Sequence, residues 1–496
     1  MVLYLSIALS FIVVLLLARR LNIRAGKPSR PPGPPGLPFI GNLLQFQPLD
    51  LHLRLATLSN KYGPLMYMKV VTAPTIVISS ARVAKEALKD NDLAFSSRPY
   101  TSSMAKLSYN SLDISSSPYT EYWREMRKIV VVGLFTNHQV NSFRPARKDE
   151  VSRMINEISE STTEVVNLSE AAMSFASSAI CRVALGKSYD IEKGSGKRRF
   201  DKILEQLQSI YPVFFIGDYY PLLGWIDQLT GKISRLQKVF EDLDSFYQEL
   251  IDEHLSPNRP QSMDGDVLDI LIKLREENSS SIHFDWDNIK AVLMNIFVAG
   301  TDTTAATITW AMTALIKKPR VLKKVQGEIR GFIGKKGRVD EDDIEKLSYF
   351  KAVVKETLRL YPPAPLSLPR ETTISCIVNG YQIEPKTMVF VNLWAIGRDP
   401  EFWENPNEFL PERFLNSSID FRGHDFGFIP FGSGRRHCPG ISLGIAEIEL
   451  AISNLLYSFD WELPHGVTED DIDTNGAPGT TVHKKNALCL IAKCYE

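Results

Sequence analysis

Ten consecutive residues late in the chain hold its most reactive combination: Phe431-Gly432-Ser433-Gly434-Arg435-Arg436-His437-Cys438-Pro439-Gly440. A cysteine follows a glycine- and arginine-rich loop. It precedes an apolar series at helical spacing, Ile441, Leu443, Ile445, Ile448 and Leu450. Pro439 suits the first turn of such a helix, where its missing N–H costs nothing. Cys438 is therefore expected at or just before a helix N-terminus, where backbone N–H groups and the helix dipole favour a thiolate. A thiolate is a soft ligand of the kind iron takes. Gly434 and Gly440 would let the backbone turn tightly around the sulfur. Arg436 offers a planar fork to a carboxylate lying beside the loop. A lone cysteine is more often a buried structural residue, and His437 is a competing ligand next door.

The loop resembles the haem-binding loop of the cytochromes P450, Phe-x-x-Gly-x-Arg-x-Cys-x-Gly. It matches at every fixed position: Phe431, Gly434, Arg436, Cys438 and Gly440. The resemblance implies that Cys438 is the axial ligand to the iron of haem b and that Arg436 contacts a propionate. It places His437 off the iron.

Four further stretches carry the same resemblance. A helical pattern over 289–312 contains Ala299-Gly300-Thr301-Asp302-Thr303-Thr304. Glycine and threonine are weak helix formers, costing up to about 1 kcal/mol each against alanine. Apolar residues continue at helical spacing on both sides, so a local distortion with a use is expected. The segment is similar to the P450 oxygen-activation motif. By that likeness Gly300 leaves room for O2, Thr303 hydrogen-bonds the bound oxygen and Asp302 relays protons. Trp123 and Arg127 are i, i+4 neighbours. By spacing alone they are a surface cation–π pair; in the family such a Trp-x-x-x-Arg holds a propionate. Glu356 and Arg359 are either an exposed pair worth well under about 1 kcal/mol, or, joined by Arg413, the family's buried charge network behind the cysteine loop. Finally, the resemblance runs 361–370 past the haem, with Pro365, Leu366 and Leu368 lining the substrate pocket and Arg370 meeting a propionate. Ala299, Gly300 and Thr480, from the segment 478–482, are expected there too. The aromatic run 210–216, with Phe214 and Phe215, is either core or a channel roof that dips into the bilayer surface.

These residues need a large body to position them. The chain has 496 residues, 44% hydrophobic and 23% charged, which is ordinary for a globular protein. A net charge of −1 gives no overall pull toward nucleic acid. Five cysteines without CxxC spacing argue against a disulfide framework or a zinc site and suit a reducing compartment. Residues 1–18 carry no charge and would span about 27 Å as a helix, near the thickness of an endoplasmic-reticulum bilayer. Arg19, Arg20, Arg24, Lys27 and Arg30 follow and keep the C-terminal side cytosolic. The organisation expected is a transmembrane signal anchor (1–18), a basic, proline-rich hinge (19–39) and a catalytic domain (40–496). Strands are expected over 65–79 and helices elsewhere, giving a mainly α fold with a small β region.

The family likeness covers the whole chain and is nearest to the plant A-type microsomal clan. It implies a single-pass endoplasmic-reticulum enzyme with a cytosolic catalytic domain. Such an enzyme inserts one oxygen atom of O2 into a small lipophilic metabolite. Electrons come from NADPH through P450 reductase, with cytochrome b5 as a second donor. Arg124, Lys128 and Arg435 are candidate reductase contacts. The same residues also serve atypical outcomes: oxime metabolism, ring closure, C–C cleavage, or reductase-independent isomerisation and dehydration. A non-enzymatic haem sensor would not need Asp302 and Thr303.

Overall fold

A computed structural model describes residues 30–46, 50–160, 165–187, 195–211, 213–277 and 281–495. The expected anchor and most of the basic stretch behind it lie outside the described residues. The proline-rich end of the expected hinge does not stand apart from the body. Tyr67 N donates to Pro32 O at 2.8 Å, and the Asn42 amide reaches Pro34 O and Pro35 O, each at 3.3 Å. A Cβ on Gly33 would come within 1.7 Å of Tyr67 O. The segment is docked so closely that no side chain fits between it and the neighbouring strand.

Helices dominate the fold, with a minor β region. The hairpin expected at 65–79 forms as β1 (Leu65–Val70) and β2 (Ala73–Ile78). Further strands are β3 (Val165–Asn167), β4 (Arg370–Glu371), β5 (Cys376–Val378), β6 (Tyr381–Ile383), β7 (Met388–Val391), β8 (Phe459–Glu462) and β9 (Cys489–Cys494). One sheet has the order β1-β2-β7-β4; another is β3-β9-β8; β5 and β6 pair as a hairpin. In the first sheet β4 is antiparallel to β7, with Arg370 opposite Val389. That register presents Arg370 at a sheet edge.

Seven helices position the site: α1 (Glu121–Lys128), α2 (Leu168–Leu185), α3 (Ser195–Ile210), α4 (Lys232–His254), α5 (Trp286–Ile316), α6 (Ser348–Leu360) and α7 (Ile441–Ser458). The central one is α5. Its start is fixed by a capping box, in which Asp285 accepts from the backbone and Asn288 Oδ1 accepts from Asp285 N at 2.7 Å. It runs unbroken for 31 residues through the glycine- and threonine-rich turn. Threonines there bond back to carbonyls one turn earlier, the partly exposed Thr303 as well as the buried Thr307, Thr309 and Thr313. Thr303 donates to Ala299 O, Thr307 to Thr303 O, Thr309 to Ala305 O and Thr313 to Thr309 O. Each hydroxyl is thereby satisfied within the helix. Two described helices, α5 and α7, are long and apolar enough to cross a membrane by length and composition. Most of each is buried in the protein core, which accounts for that composition.

Behind α7 lies a buried charge network. Arg359 Nε and Nη2 donate to the two oxygens of Glu356 at 2.7 and 2.8 Å, and Arg413 Nε donates to Glu356 Oε1 at 3.1 Å. The side chains of Glu356 and Arg359 are wholly buried. Arg359 also ties down the carbonyls of Gly397, Pro406 and Glu408, and Arg413 that of Glu404. Leu410 N closes the carboxylate. Removing one member leaves a buried charge with no counterion, which costs about 3–5 kcal/mol. Glu356→Ala is expected to lower the unfolding free energy, read from denaturant titration, by that amount and to yield little cofactor-loaded protein. An unfolding free energy within about 1 kcal/mol of wild type, the usual value of a surface pair, would contradict this.

Candidate functional site

Cys438 lies three residues ahead of α7, whose first residue is Ile441 and whose N-cap is Gly440. Pro439 therefore precedes the helix instead of occupying its first turn, because helical backbone begins only after Gly440. Cys438 N donates to Phe431 O at 3.0 Å, closing the loop. Phe431 packs edge-on against Phe421. Gly434 has φ +68°, and a Cβ there would sit 2.3 Å from Asp92 Oδ1, so both conformation and space demand glycine. Gly440 does not share that reason. Its φ is −91°, open to any residue, and no atom lies within 4 Å of a Cβ placed there.

Burial pushes the Cys438 thiol up. The Gly440 N–H and the Arg127 charge pull the other way without overcoming it. Burial thus opposes the pull toward a thiolate that the helix terminus was expected to supply. A coordinated metal ion would overcome it, since it deprotonates a thiol outright. His437 is held well below the usual histidine range, at about 4, by burial and then by Arg127, His424 and Arg370. Its ring lies against Gly423, where an added Cβ would meet Cδ2 at 3.1 Å.

Around the loop stand four buried or half-buried arginines from four parts of the chain. Arg436 donates to Ser96 O, Ile114 O and Ser117 O. Arg370 donates to Ser433 O at 2.8 Å and Phe95 O at 3.4 Å. Arg127 reaches His437 O at 2.5 Å. Arg98, which the sequence reading missed, donates to Ser115 O, Leu368 O and Pro369 O. Every bond is to a carbonyl; among the described residues none of the four makes an ion pair. Burial lowers all four below the ordinary arginine value, Arg370 to about 10 and Arg436 to about 9. For Arg98, Arg370 and Arg436, mutual repulsion within the cluster adds to it, partly opposed by Asp113 for Arg98 and Arg436 and by Asp92 for Arg370. Such a cluster fits a ligand with two carboxylates, as haem b has. Trp123 is placed differently from expectation. Its indole N–H is committed to Ile114 O at 3.0 Å, and its ring backs Arg436 at 4.0 Å and Arg127 at 5.6 Å.

A stripe of α5 faces open space although the helix is otherwise buried. Asn295, Ala299 and Thr303 recur every four residues and are partly or well exposed. Gly300 also packs closely on α2: a Cβ there would meet Ile180 Cδ1 at 2.6 Å, so a larger residue would have to push that side chain aside. Thr303 spends its hydroxyl hydrogen on Ala299 O at 2.6 Å, leaving its oxygen free to accept. Asp302 is buried, with Gln208 Nε2 of α3 and His483 Nε2 both 2.6 Å from its Oδ1.

The expected pocket residues separate into two groups. Pro365 is buried, while Leu366 and Leu368 are half-buried. Leu366 packs on the apolar face of Leu55, Met66, Met68 and Val77. Phe214 is half-buried and stacked on Tyr219, with ring centroids 5.0 Å apart. Phe215 is only 1% exposed and belongs to the core with Leu207, Ile210 and Leu236, so it lines no open space. Thr480 is exposed, and the returning loop touches the interior through its neighbours. Val482 N donates to Pro363 O, Trp310 Nε1 donates to Val482 O, and His483 meets Asp302. The apolar surface near the 210–216 run lies beyond it: Leu222 is 91% exposed, Trp225 57% and Leu229 76%. Tyr220 Oη donates to Phe39 O, joining this patch to the exposed Phe39. Arg124 and Lys128 are exposed on α1 in loose pairs with Glu121 and Glu125; Arg435 is tied to Asp92 at 3.2 Å.

Comparison with known proteins adds three findings. Residues 31–490 match the family model described as Cytochrome P450. Over 477 residues the chain is 49% identical to 5-OH-xanthotoxin synthase of Ammi majus, covering 94% of this chain and 93% of that protein. It is also 49% identical to 6,7,8-trihydroxycoumarin synthase of Pastinaca sativa, covering 94% of each. A zebra fish cytochrome P450 solved with abiraterone superposes with a TM-score of 0.75 at 24% identity, over 90% of this chain and 99% of that one. That last likeness speaks to fold.

One carboxyl where α7 crosses α5 titrates in an accessible range. Glu447 is buried, lies 3.4 Å from the Thr304 hydroxyl and has one oxygen without a partner among the described residues. Burial raises it to about 8, against the partial opposition of Arg147 and the Thr304 bond. The folded chain thus keeps a proton that the unfolded chain releases near the ordinary glutamate value. Between those two values stability falls as pH rises. Glu447→Gln removes that slope. Its Tm is expected to exceed wild type above about pH 8, with the gap shrinking toward about pH 5. A Tm difference that does not change with pH would contradict this.

Proposed function

The chain belongs to the cytochrome P450 family of haem-thiolate oxidoreductases, and from that premise we propose that it hydroxylates a small, planar, lipophilic plant metabolite of the coumarin kind at the endoplasmic-reticulum membrane. The observation that carries the assignment of the site is the cluster of four arginines around the Cys438 loop, none of them in ion-pair contact with a carboxylate among the described residues. Arg98, Arg127, Arg370 and Arg436 would hold the two propionates of haem b, with Trp123 as the plate behind two of them. Cys438 would supply the axial thiolate, its loop shaped by Phe431, Gly434 and the Phe431 O bond, with Gly440 capping the helix behind. The haem, when bound, supplies the reductive activation of O2.

The remaining roles belong to the chain's own side chains. The Asn295–Ala299–Thr303 stripe faces the reacting volume. Thr303 can accept a hydrogen bond from a water there and hold it in place. Asp302, one residue earlier in the helix, supplies that water with protons. Ala299, Phe214, Leu366 and Leu368 give an apolar wall for a flat aromatic ring and carry no charge. That composition, and the relatives' names, favour a coumarin-type substrate.

Glu356, Arg359 and Arg413 support the loop from behind. Arg127 lies on the same helix as Arg124 and Lys128 and touches the cysteine loop, so those two cations mark the face for NADPH–P450 reductase, or for cytochrome b5. The domain plan is an anchor at 1–18, a basic connection behind it, and a catalytic body. Leu222, Trp225, Leu229 and Phe39 form a second contact with lipid. Seated on that side, the body takes its substrate from the bilayer.

With reductase and NADPH, the recombinant protein is expected to hydroxylate members of a coumarin and furanocoumarin panel. Turnover confined to substrates outside that panel would overturn the substrate class. Cys438→Ser is expected to lose the red-shifted Soret band of a thiolate-ligated CO complex; an unchanged band would remove Cys438 as ligand. Thr303→Val keeps side-chain shape and loses the hydroxyl. It should go on consuming NADPH while product per NADPH falls several-fold and hydrogen peroxide rises. Wild-type coupling in that variant would leave Thr303 as a helix residue only.

A further inference from the structure

Asp302 is reached by two donors from distant parts of the chain, and they differ in what they can do. Gln208 Nε2, on α3, and His483 Nε2, on the returning C-terminal loop, both approach Oδ1 at 2.6 Å. A carboxamide can only hold a carboxylate in place. An imidazole can take a proton at one nitrogen and release another from the second. Exposure follows the same direction: the His483 side chain is 28% accessible and that of Asp302 9%. His483 thus spans the gap between solvent and a buried acid.

The position of His483 is imposed by its neighbours. Val482 N donates to Pro363 O at 2.8 Å, and Trp310 Nε1 of α5 donates to Val482 O at 2.8 Å. The carbonyl of His483 itself accepts from Ala477 N at 2.7 Å. On the other side Lys484 is anchored to Asp473 at 2.7 Å and to Asn486 O at 2.9 Å, so its charge is spent elsewhere. The ring has little freedom to leave the carboxylate. Adjacent residues on an α-helix point about 100° apart, so Asp302 turns toward α3 and the C-terminal loop while Thr303 turns to the open stripe.

We propose that His483 is the residue through which Asp302 draws protons from solvent, with Gln208 fixing the carboxylate that receives them. This rests on the assignment of Asp302 as proton donor to the reacting volume. In the step, a solvent acid protonates Nδ1 of the neutral ring that carries its hydrogen on Nε2. The Nε2–H bond then breaks as the Oδ1–H bond forms. The ring is left neutral with its hydrogen on Nδ1, and one solvent proton has moved to Asp302. No electron changes hands.

Three variants of the full-length protein test this: His483→Gln, which keeps an N–H for Oδ1 but cannot shuttle; His483→Phe, which loses both; and Asp302→Asn. Substrate affinity, read from the optical binding titration, should match wild type in both His483 variants. Their NADPH-dependent turnover should drop on the order of a hundredfold, the low end for lost proton transfer. Ring-15N histidine NMR of the resting protein gives an independent reading. One histidine N–H signal should vanish in His483→Gln and shift in Asp302→Asn. If His483→Gln turns over like wild type while His483→Phe does not, His483 only positions the carboxylate and the relay is wrong. If neither His483 variant slows while Asp302→Asn does, protons reach Asp302 by another route and this inference alone fails. If Asp302→Asn keeps wild-type turnover, the reading of Asp302 fails and this inference with it. If no histidine signal responds to Asp302→Asn, the contact itself is absent.

Discussion

Four guanidinium groups lie together around one loop, and among the described residues none of them is in ion-pair contact with a carboxylate; Asp113 and Asp92 act on them only from farther off, and the site depends on that shortfall of paired charge. Carbonyl oxygens satisfy the hydrogen bonds of Arg98, Arg127, Arg370 and Arg436 but not their charge. Taking an ion out of water costs several kcal/mol even after relaxation, and a neutral acceptor returns only part of it. The elements that deliver these arginines are otherwise unrelated: a loop after the first sheet, the end of α1, the edge strand β4 and the turn before Cys438. Each is fixed by its own packing. The protein therefore holds a positive cradle in shape before any anion arrives. Preorganisation of this kind lets a flat dianion bind without reordering the chain.

The second buried network works the opposite way. Glu356 is fully committed to Arg359, Arg413 and Leu410 N, so both of these arginines have a carboxylate in direct contact inside the protein. It anchors the carbonyls of 397–408, just before the segment that leads into the cysteine loop. A network closed on its own carboxylate stiffens; arginines held only by carbonyls remain open to an anion. Between them runs α5, buried on nearly every side except the Asn295–Ala299–Thr303 stripe, and joined to α7 by the Glu447–Thr304 contact.

Much of this was legible in the sequence, for reasons that differ by residue. The cysteine loop, the α5 motif and the Glu356–Arg359 pair are short, local patterns. Local patterns survive in one dimension. The long helix was readable because apolar spacing continues through its weak residues. Arg98 was not readable, since a lone arginine before a proline looks like any exposed loop residue until Leu368 and Pro369 close over it. His483 was missed because its partner is 181 residues away. The close approach of Gly300 to Ile180 of α2 was not readable either, being a tertiary contact that no spacing rule contains. Phe215 followed its aromatic neighbour Phe214 into the pocket list. The chain is extended at Phe215, so neighbouring side chains leave on opposite sides, and only Phe214 keeps accessible surface. Cys438 was expected to ionise at a helix terminus, but the helix starts later and burial opposes it.

The central claim is that the arginine cradle exists for the two carboxylates of haem b. Its most direct test is to bind the apoprotein to iron protoporphyrin IX and to the dimethyl ester of the same porphyrin, which keeps ring, metal and shape but removes both negative charges. The account predicts tight binding of the diacid and a loss of affinity for the ester of at least about a hundredfold, the scale expected when a buried charge loses its partner. Equal affinity for the two porphyrins would contradict it.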